Sequence, residues 1–484
     1  MPPRTDAGNV EQPETVATPK WWGPQTDLAI ANFPISGEVF PLTVIHEIAR
    51  IKGVAARINL ALGVLPLDAA ATDAIVAAAR EVTAGRWDDQ FPIDVFQTGS
   101  GTSSNMNVNE VIARLATQRL ESGERAEVSS GATTEPMRRS TPIHPNDHVN
   151  ASQSSNDVIP TAVHLAVARA IRSGLVPAAE ELRVALKAKA DEWSDVVKAG
   201  RTHLMDAVPM TLGQEFGGYA RAVQLGLERI RGALSRLYEL PLGGTAVGTG
   251  LNAPVGFARL VIECLAEDAG APFSEAVDHF EAQGGRDALV EVSAACRGLA
   301  ISLNKLANDL RWMGSGPAAG LAEIALPSLQ PGSSIMPGKV NPVIPEVVCQ
   351  VVAQVIGNDA AVAFAGASGS FELNVMIPVI ARNVLSSVAL LTSSCAVLAR
   401  RCISGLVADE PRLRAMASSS PAVITALATS IGYDTAASLV KESAATHRSI
   451  VDLVVERRLL SRAEADAALD VDRMAQPHRA TGVD

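Results

Sequence analysis

Residues 157–192, 211–239, 286–313 and 342–366, and a further run near 373–402, follow one another as helix-compatible text without central proline or glycine breaks. Helices of this length leave few solutions other than a bundle of extended helices. Their Ala-rich, Leu/Val-striped faces are not spent within one short pair. Association of several chains into a larger bundle is therefore expected. Composition agrees with a mainly all-α fold: 47% of residues are hydrophobic but only 4% are aromatic, so Ala, Val, Leu and Ile must build the interior. That mix suits helix-on-helix packing better than a sandwich, although Val and Ile alone would allow strands. With 484 residues the chain exceeds one ordinary domain and can bury a large core.

Outside these runs the text is more varied. Residues 1–20 read as a polar, Pro-rich tail, with no apolar stretch of the kind a secretory leader carries. Helix-period apolar positions recur over residues 37–65 (Val39, Leu42, Ile45, Ile48, Ile51), and Asp68 is placed to cap a second helix. FPIDVFQTG reads as a short strand or an extended link. Residues 121–143 are charged and rich in small side chains, an exposed excursion. The last eighty or so residues show shorter periodic units, a small appended helical domain. A net charge of −11 argues against binding a phosphate backbone, but local positive loops still permit a small anionic substrate. Cys264, Cys296, Cys349, Cys395 and Cys402 are odd in number and lack C-x-x-C spacing, so they read as reduced thiols. The apolar segment SSVALLTSSCAVLARRC is broken by serines and reads as too short to span a bilayer. A cytoplasmic location is the expectation.

Four polar stretches interrupt the helical text. In TGSGTSSNMNVNEV (98–111), Gly99 and Gly101 permit tight turns, and Thr102, Ser103 or Ser104 can cap the next helix. A helix start with free amides and small hydroxyls also favours an anion. In SQSSND (152–157), Ser154, Ser155, Asn156 and Asp157 are cap residues, and the Asn156 amide could hold a carboxylate oxygen. GRTHLMDAVPMTLGQEF (200–216) contains a capping-box pair, Thr211 and Gln214, which leaves RTH unexplained. His203 stands there in a loop suited to proton transfer. QPGSSIMPGKVNPVIPE (330–346) plants Lys339 among Gly332, Ser333, Ser334 and Gly338, then adds Asn341 and, one turn into the next helix, Glu346. It is not a nucleotide-binding P-loop, because no Gly-Lys is followed by Ser or Thr at the required spacing, and GGTAVGTG (243–250) fails the same test. HPNDH (144–148) suggests a metal through His144, Asp147 and His148, but Pro145 breaks the start and nothing nearby completes a ligand set. No cofactor fingerprint is present. Hydroxyls, amides, helix starts, one Lys and one His together fit a small polyanion undergoing proton transfer.

TGSGTSSNMNVNEV, HPNDHVN, SQSSND, GRTHL and GSSIMPGKVNP also occur, in this order, in the fumarase/aspartase superfamily, which the chain resembles from WWGPQTD to its C-terminal region. It resembles class II fumarases most closely, the metal-independent enzymes that interconvert fumarate and (S)-malate. Aspartase, an ammonia lyase, is the alternative, and NPVIPEVVCQVVAQVIGND resembles it equally. GRTHL decides, since aspartases typically carry Gln where this chain has His203. The resemblance implies a three-domain fold, with boundaries at 21–153, 154–406 and 407–484. It implies a homotetramer with a twenty-helix core, active sites shared between three chains, a place in the tricarboxylic acid cycle, and no cofactor or metal. It assigns Ser100, Gly101, Thr102, Ser154, Ser155, Asn156, Thr202, Ser334, Lys339, Val340 and Asn341 to substrate binding. Ser333 becomes the base at carbon, and His203, paired with Glu346, the acid/base that handles water. His144, Pro145, Asn146 and Asp147 match a second dicarboxylate site. There the chain departs from some relatives in carrying Thr141 in place of a basic residue, with Arg138 and Arg139 close by.

Overall fold

The computed structural model describes residues 19–122 and 142–476. Thr141, Arg138, Arg139 and nearly all of the 121–143 excursion lie outside the described residues, as do the first eighteen positions. Two compact units are present. One takes in the described residues up to Ala162 together with Leu242–Asp268; the other comprises Val163–Pro241 and the described residues from Ala269 onward.

In the first unit, helix α2 (Leu42–Ala61) packs on α3 (Ala69–Thr83), and α1 (Pro24–Asn32), α2 and α3 all pack on α4 (Thr102–Ser122); the start of α5 (Ser155–Ala170) belongs to the same unit. The apolar period over 37–65 becomes the buried face of α2, where Ile45, Ile48 and Ile51 are sealed from solvent. Asp68 caps α3 as its position predicts, accepting the Ala71 amide at 2.8 Å. FPIDVFQTG forms no strand; it makes one isolated bridge, Val39 to Asp94. The Asp94 carboxylate draws the backbone inward by accepting the amides of Ser36 (2.6 Å), Gly37 (2.8 Å) and Phe96 (2.8 Å).

In the second unit the long runs become helices at nearly the expected places. α5 passes through a π-helical segment, Ile171–Leu175, into α6 (Val176–Glu192). A hairpin of β1 (Val197–Thr202) and β2 (Met205–Thr211) leads to α7 (Leu212–Leu237), opened by the capping box of Thr211 and Gln214. There follow α8 (Phe257–Ala269), which belongs largely to the first unit, α9 (His279–Gly284), α10 (Asp287–Met313), α11 (Val343–Gly366) and α12 (Ile377–Arg401). Helices α6, α7, α10, α11 and α12 neighbour one another in a closed ring of five. Its interior is aliphatic, with Leu182, Leu227, Ile230, Leu299, Leu303, Val355, Ile380 and Leu391 all buried. The first run is not free of breaks, because Pro160 lies inside α5 and Gly174 in the π-helical segment.

All five cysteines are free thiols. Burial pushes Cys296 up to about 12, with Asp359 adding to the effect, and burial alone does the same for Cys395. Two bundle helices have a membrane-span character that the sequence reading did not assign to them. α11, of 24 residues, and the segment Ile377–Gly405, of 29, both have the length and hydropathy of a membrane span. SSVALLTSSCAVLARRC is short only when taken by itself; it is the second half of α12, which begins at Ile377, inside the run expected near 373–402. Both helices are packed members of the ring, yet Ile301, Val347, Ile356, Phe364 and Val397 remain exposed on it. In a single chain these apolar faces are incompletely covered.

Candidate active site

The first unit brings three predicted hydroxyls into one chain of contacts. Ser100 Oγ lies 2.7 Å from Thr102 Oγ1, which lies 2.7 Å from Ser155 Oγ. Thr102 begins α4 and Ser155 begins α5, so two helix N-termini, each with spare amide donors and partial positive charge, converge here. Gly101 makes the approach possible. Its φ is +72°, and a Cβ there would stand 2.8 Å from Ile159 Cγ2 on α5. Ser154 Oγ accepts the Asn156 amide at 3.2 Å, and Asn156 Nδ2 donates to the Ala246 carbonyl at 2.8 Å.

Asp157 does more than cap. Its carboxylate accepts the Ser154 amide at 2.9 Å and the Gly243 and Thr245 amides at 3.0 Å each, so GGTAVGTG serves as a clasp on a buried carboxylate. Burial raises the Asp157 pKa, and these amides oppose the rise. Nothing local in the sequence signalled a partnership across almost ninety positions.

The proposed second site sits on a π-helical turn, Pro145–Val149. His144 caps the turn, its Nδ1 accepting the Asp147 amide at 3.1 Å, and His144, Asn146 and Asp147 are exposed. His148 is buried, its Nδ1 accepting the His144 amide at 2.8 Å, and burial lowers its pKa. The two imidazoles thus stand in different environments, and no metal-holding group of three His, Cys, Asp or Glu occurs among the described residues.

In the second unit, RTH proves to be the end of a hairpin. Thr202 pairs with Met205, so His203 and Leu204 form a two-residue turn. Their φ values, +56° and +61°, are both positive, as a type I′ turn requires. The His203 ring is exposed at the tip, without a hydrogen-bond partner among the described residues. The base of the hairpin is firmly held. Arg201 makes a bidentate pair with the fully buried Glu323 at 3.0 and 2.8 Å. Lys198, also buried, lies 3.3 Å from Glu323 and bonds Glu215. Val197 and Ala199 enter an apolar cluster with Ala417, Val423, Ile424, Leu439 and Leu453 from the C-terminal helices.

The GSSIMPGKVNP loop closes on itself. Gly332 N donates to the Lys339 carbonyl at 3.0 Å, and Asn341 Nδ2 donates to the Gly332 carbonyl at 2.7 Å. A Cβ on Gly332 would come within 2.1 Å of that Lys339 oxygen, so the closure requires glycine. Ser333 Oγ accepts two backbone amides, from Ile335 at 3.2 Å and Met336 at 3.1 Å. Donors directed at that oxygen favour its alkoxide. Lys339, Val340, Asn341 and Glu346 line a cleft of about 1310 Å³ with Asn308, Arg311 and Trp312 of α10. Ser333, Ser334, Thr202 and His203 are not among its lining residues, and no hydrogen bond joins His203 to Glu346 within the chain. The Lys198, Glu215, Glu323 and Arg201 network went unread in the sequence, because its members are up to 125 positions apart.

Comparison with known proteins can now be set beside this geometry. Residues 13–357 match the lyase family and residues 423–476 match the fumarase C C-terminus. The chain is 54% identical over 460 residues to the class II fumarate hydratase of Mycobacterium tuberculosis, covering 94% of this chain and 92% of that protein. It belongs to the class II fumarate hydratase family. The Corynebacterium efficiens enzyme of the same name is 52% identical, over 95% of this chain and 93% of that protein. Among solved structures, class II fumarase from Schistosoma mansoni superposes with a TM-score of 0.89 at 37% identity, over 95% of this chain and 96% of the other. A muconate lactonizing enzyme from Pseudomonas putida, at 20% identity, 94% coverage of each chain and a TM-score of 0.69, shares the fold. These relatives favour the hydratase reading over aspartase.

Proposed function

We propose that the protein catalyses the reversible hydration of fumarate to (S)-malate, with Ser333 as the base at carbon. The observation that carries the reading is the pair of amides on Ser333 Oγ, in the loop that also bears Lys339. In the dehydration direction, Ser333 takes the proton from the carbon beside a carboxylate. Both negative charges then gather on that carboxylate, and the site must stabilise this dianion more than malate itself. Lys339 and Asn341 serve that purpose; removing one such preorganised donor costs about 3–4 kcal/mol of barrier. A helix start contributes only about 0.3–1 kcal/mol, so Lys339 dominates. His203, oriented by Glu346, donates a proton to the departing hydroxyl, and in hydration it accepts one from water. Base and acid act from opposite faces, giving trans addition. Ser100, Gly101, Thr102, Ser154, Ser155, Asn156, Thr202, Ser334 and Val340 complete the grip on the two carboxylates.

This reading needs more than one chain. The exposed apolar side chains on α10, α11 and α12 are covered when four rings of five helices associate into one core, and the sites are then shared between three chains. His203 of one chain thereby meets Glu346 of another. The turn of His144, Pro145, Asn146 and Asp147 is read as a second dicarboxylate site. The enzyme serves the tricarboxylic acid cycle in the cytoplasm. Supplying malate and aspartate separately, while following fumarate absorbance, tests the activity: fumarate forms from malate only. Formation from aspartate alone would overturn it.

A further inference from the structure

Lys52 lies midway along α2 and is fully buried, and no catalytic step described above uses it. Its ammonium donates to Asn150 Oδ1 at 2.7 Å and to Gln153 Oε1 at 3.3 Å. Asn150 Oδ1 also accepts Asn105 Nδ2, at 3.2 Å, from the first turn of α4. One buried cation therefore grips the turn that runs into Ser154, Ser155 and Asn156, and through Asn150 it reaches the helix begun by Thr102. Its nearest influential charge is Asp157, at the start of α5. A buried ammonium held by neutral amide oxygens is expensive, and a methionine of similar length would fill the space without that expense. The charge has a use if an anion binds above it.

We infer that Lys52 is a positioning residue for substrate: it fixes the starts of α4 and α5 and lends positive potential to the Ser100, Thr102 and Ser155 hydroxyls as they hold a carboxylate. This rests on the reading of those hydroxyls as a carboxylate site. Burial lowers the Lys52 pKa to about 7, with Asp157 opposing the shift, so the charge is only partly present at neutral pH. Two carboxylates on neighbouring helices are engaged elsewhere. Glu81 of α3 pairs with Arg119. Glu110 of α4 accepts the amides of Gly23, Gln25 and Thr26. Asp157 and, on the turn leading to Asn150, His148 remain. Burial lowers the His148 pKa, which favours its neutral ring.

A bound dianion favours protonated Lys52. The KM for fumarate therefore rises above pH 7 and levels off about tenfold higher, at the value of an enzyme without that charge. Lys52→Met is expected to raise KM at pH 6.5 about tenfold, leave kcat within about threefold, and abolish the rise of KM between pH 7 and 8.5. A Lys52→Met enzyme with wild-type KM and wild-type pH profile overturns the inference. Ser155→Ala separates the two claims. It raises KM while keeping the pH slope; an unchanged KM would sink the carboxylate reading itself, whatever Lys52 does. Should Lys52→Met not assemble, succinate binding by His203→Gln protein, measured calorimetrically at pH 7.5 in buffers of different ionisation heat, decides the matter. Proton uptake supports the inference and its absence overturns it.

Discussion

Ser100, Thr102 and Ser155 are bonded to one another at two helix starts, with Ser100 buried and Gly101 wedged against Ile159. Ser333, Ser334 and Lys339 stand instead on a loop whose residues are half-buried or exposed, closed by a few bonds of its own backbone and Asn341. The first arrangement is set before any ligand arrives. The second is held by few bonds, and the proposed function has it close over substrate. On the proposed mechanism this contrast divides the work: binding energy comes from the rigid hydroxyls, and chemistry from the loop.

The largest effects should come from breaking the loop's side of this division. Lys339→Met and Ser333→Ala are each expected to lower kcat at least a hundredfold, about 3 kcal/mol or more of barrier, with assembly intact by light scattering. Wild-type turnover in either would remove that residue from the mechanism. Next comes a matched pair of glycine substitutions. Gly332→Ala should lower kcat more than about tenfold without moving the melting temperature, because its Cβ meets only the loop's own backbone. Gly101→Ala should destabilise the fold by about 1–3 kcal/mol, through its positive φ and the contact with Ile159, as read by thermal unfolding. Equal thermal shifts in the two would erase the contrast. Thr102→Val, which takes out the middle hydroxyl of three, should raise KM about tenfold with a smaller change in kcat, the loss of one buried hydrogen-bonding group. The smallest effect is on mobility. Protease cleavage within 331–338 should slow when malate is present, while the 98–104 turn stays resistant in both conditions.

Helix positions were legible because 3.6-residue apolar periods extend over many turns, and because Asp68 and the Thr211 and Gln214 pair announce their helices locally. The motifs in order gave the family and the candidate residues. The hairpin that presents His203 was read only as a loop. β1 carries an irregular register between Ala199 and Arg201, and β2 contains Pro209, so neither shows a clean two-residue alternation. Its anchor, Glu323, is 122 positions from Arg201. Lys52 was invisible for a similar reason: one lysine in an apolar helix looks like a solvent-facing residue until the turn around Asn150 is folded over it. The membrane-span hydropathy of α12 escaped the sequence reading because the serines in it interrupt the apolar run without breaking the helix.

The central claim is that hydroxyls on one chain and the loop on another serve a single dicarboxylate. Mixing chains carrying Thr102→Val with Ser155→Ala, weakened in KM, and chains carrying Ser333→Ala, weakened in kcat, and assaying at malate well below KM, tests it most directly once reassembled hybrids are verified by native mass spectrometry. Recovery of malate dehydration in the hybrids is the predicted result. Verified hybrids whose rate at low malate does not exceed that of either parent would contradict the claim.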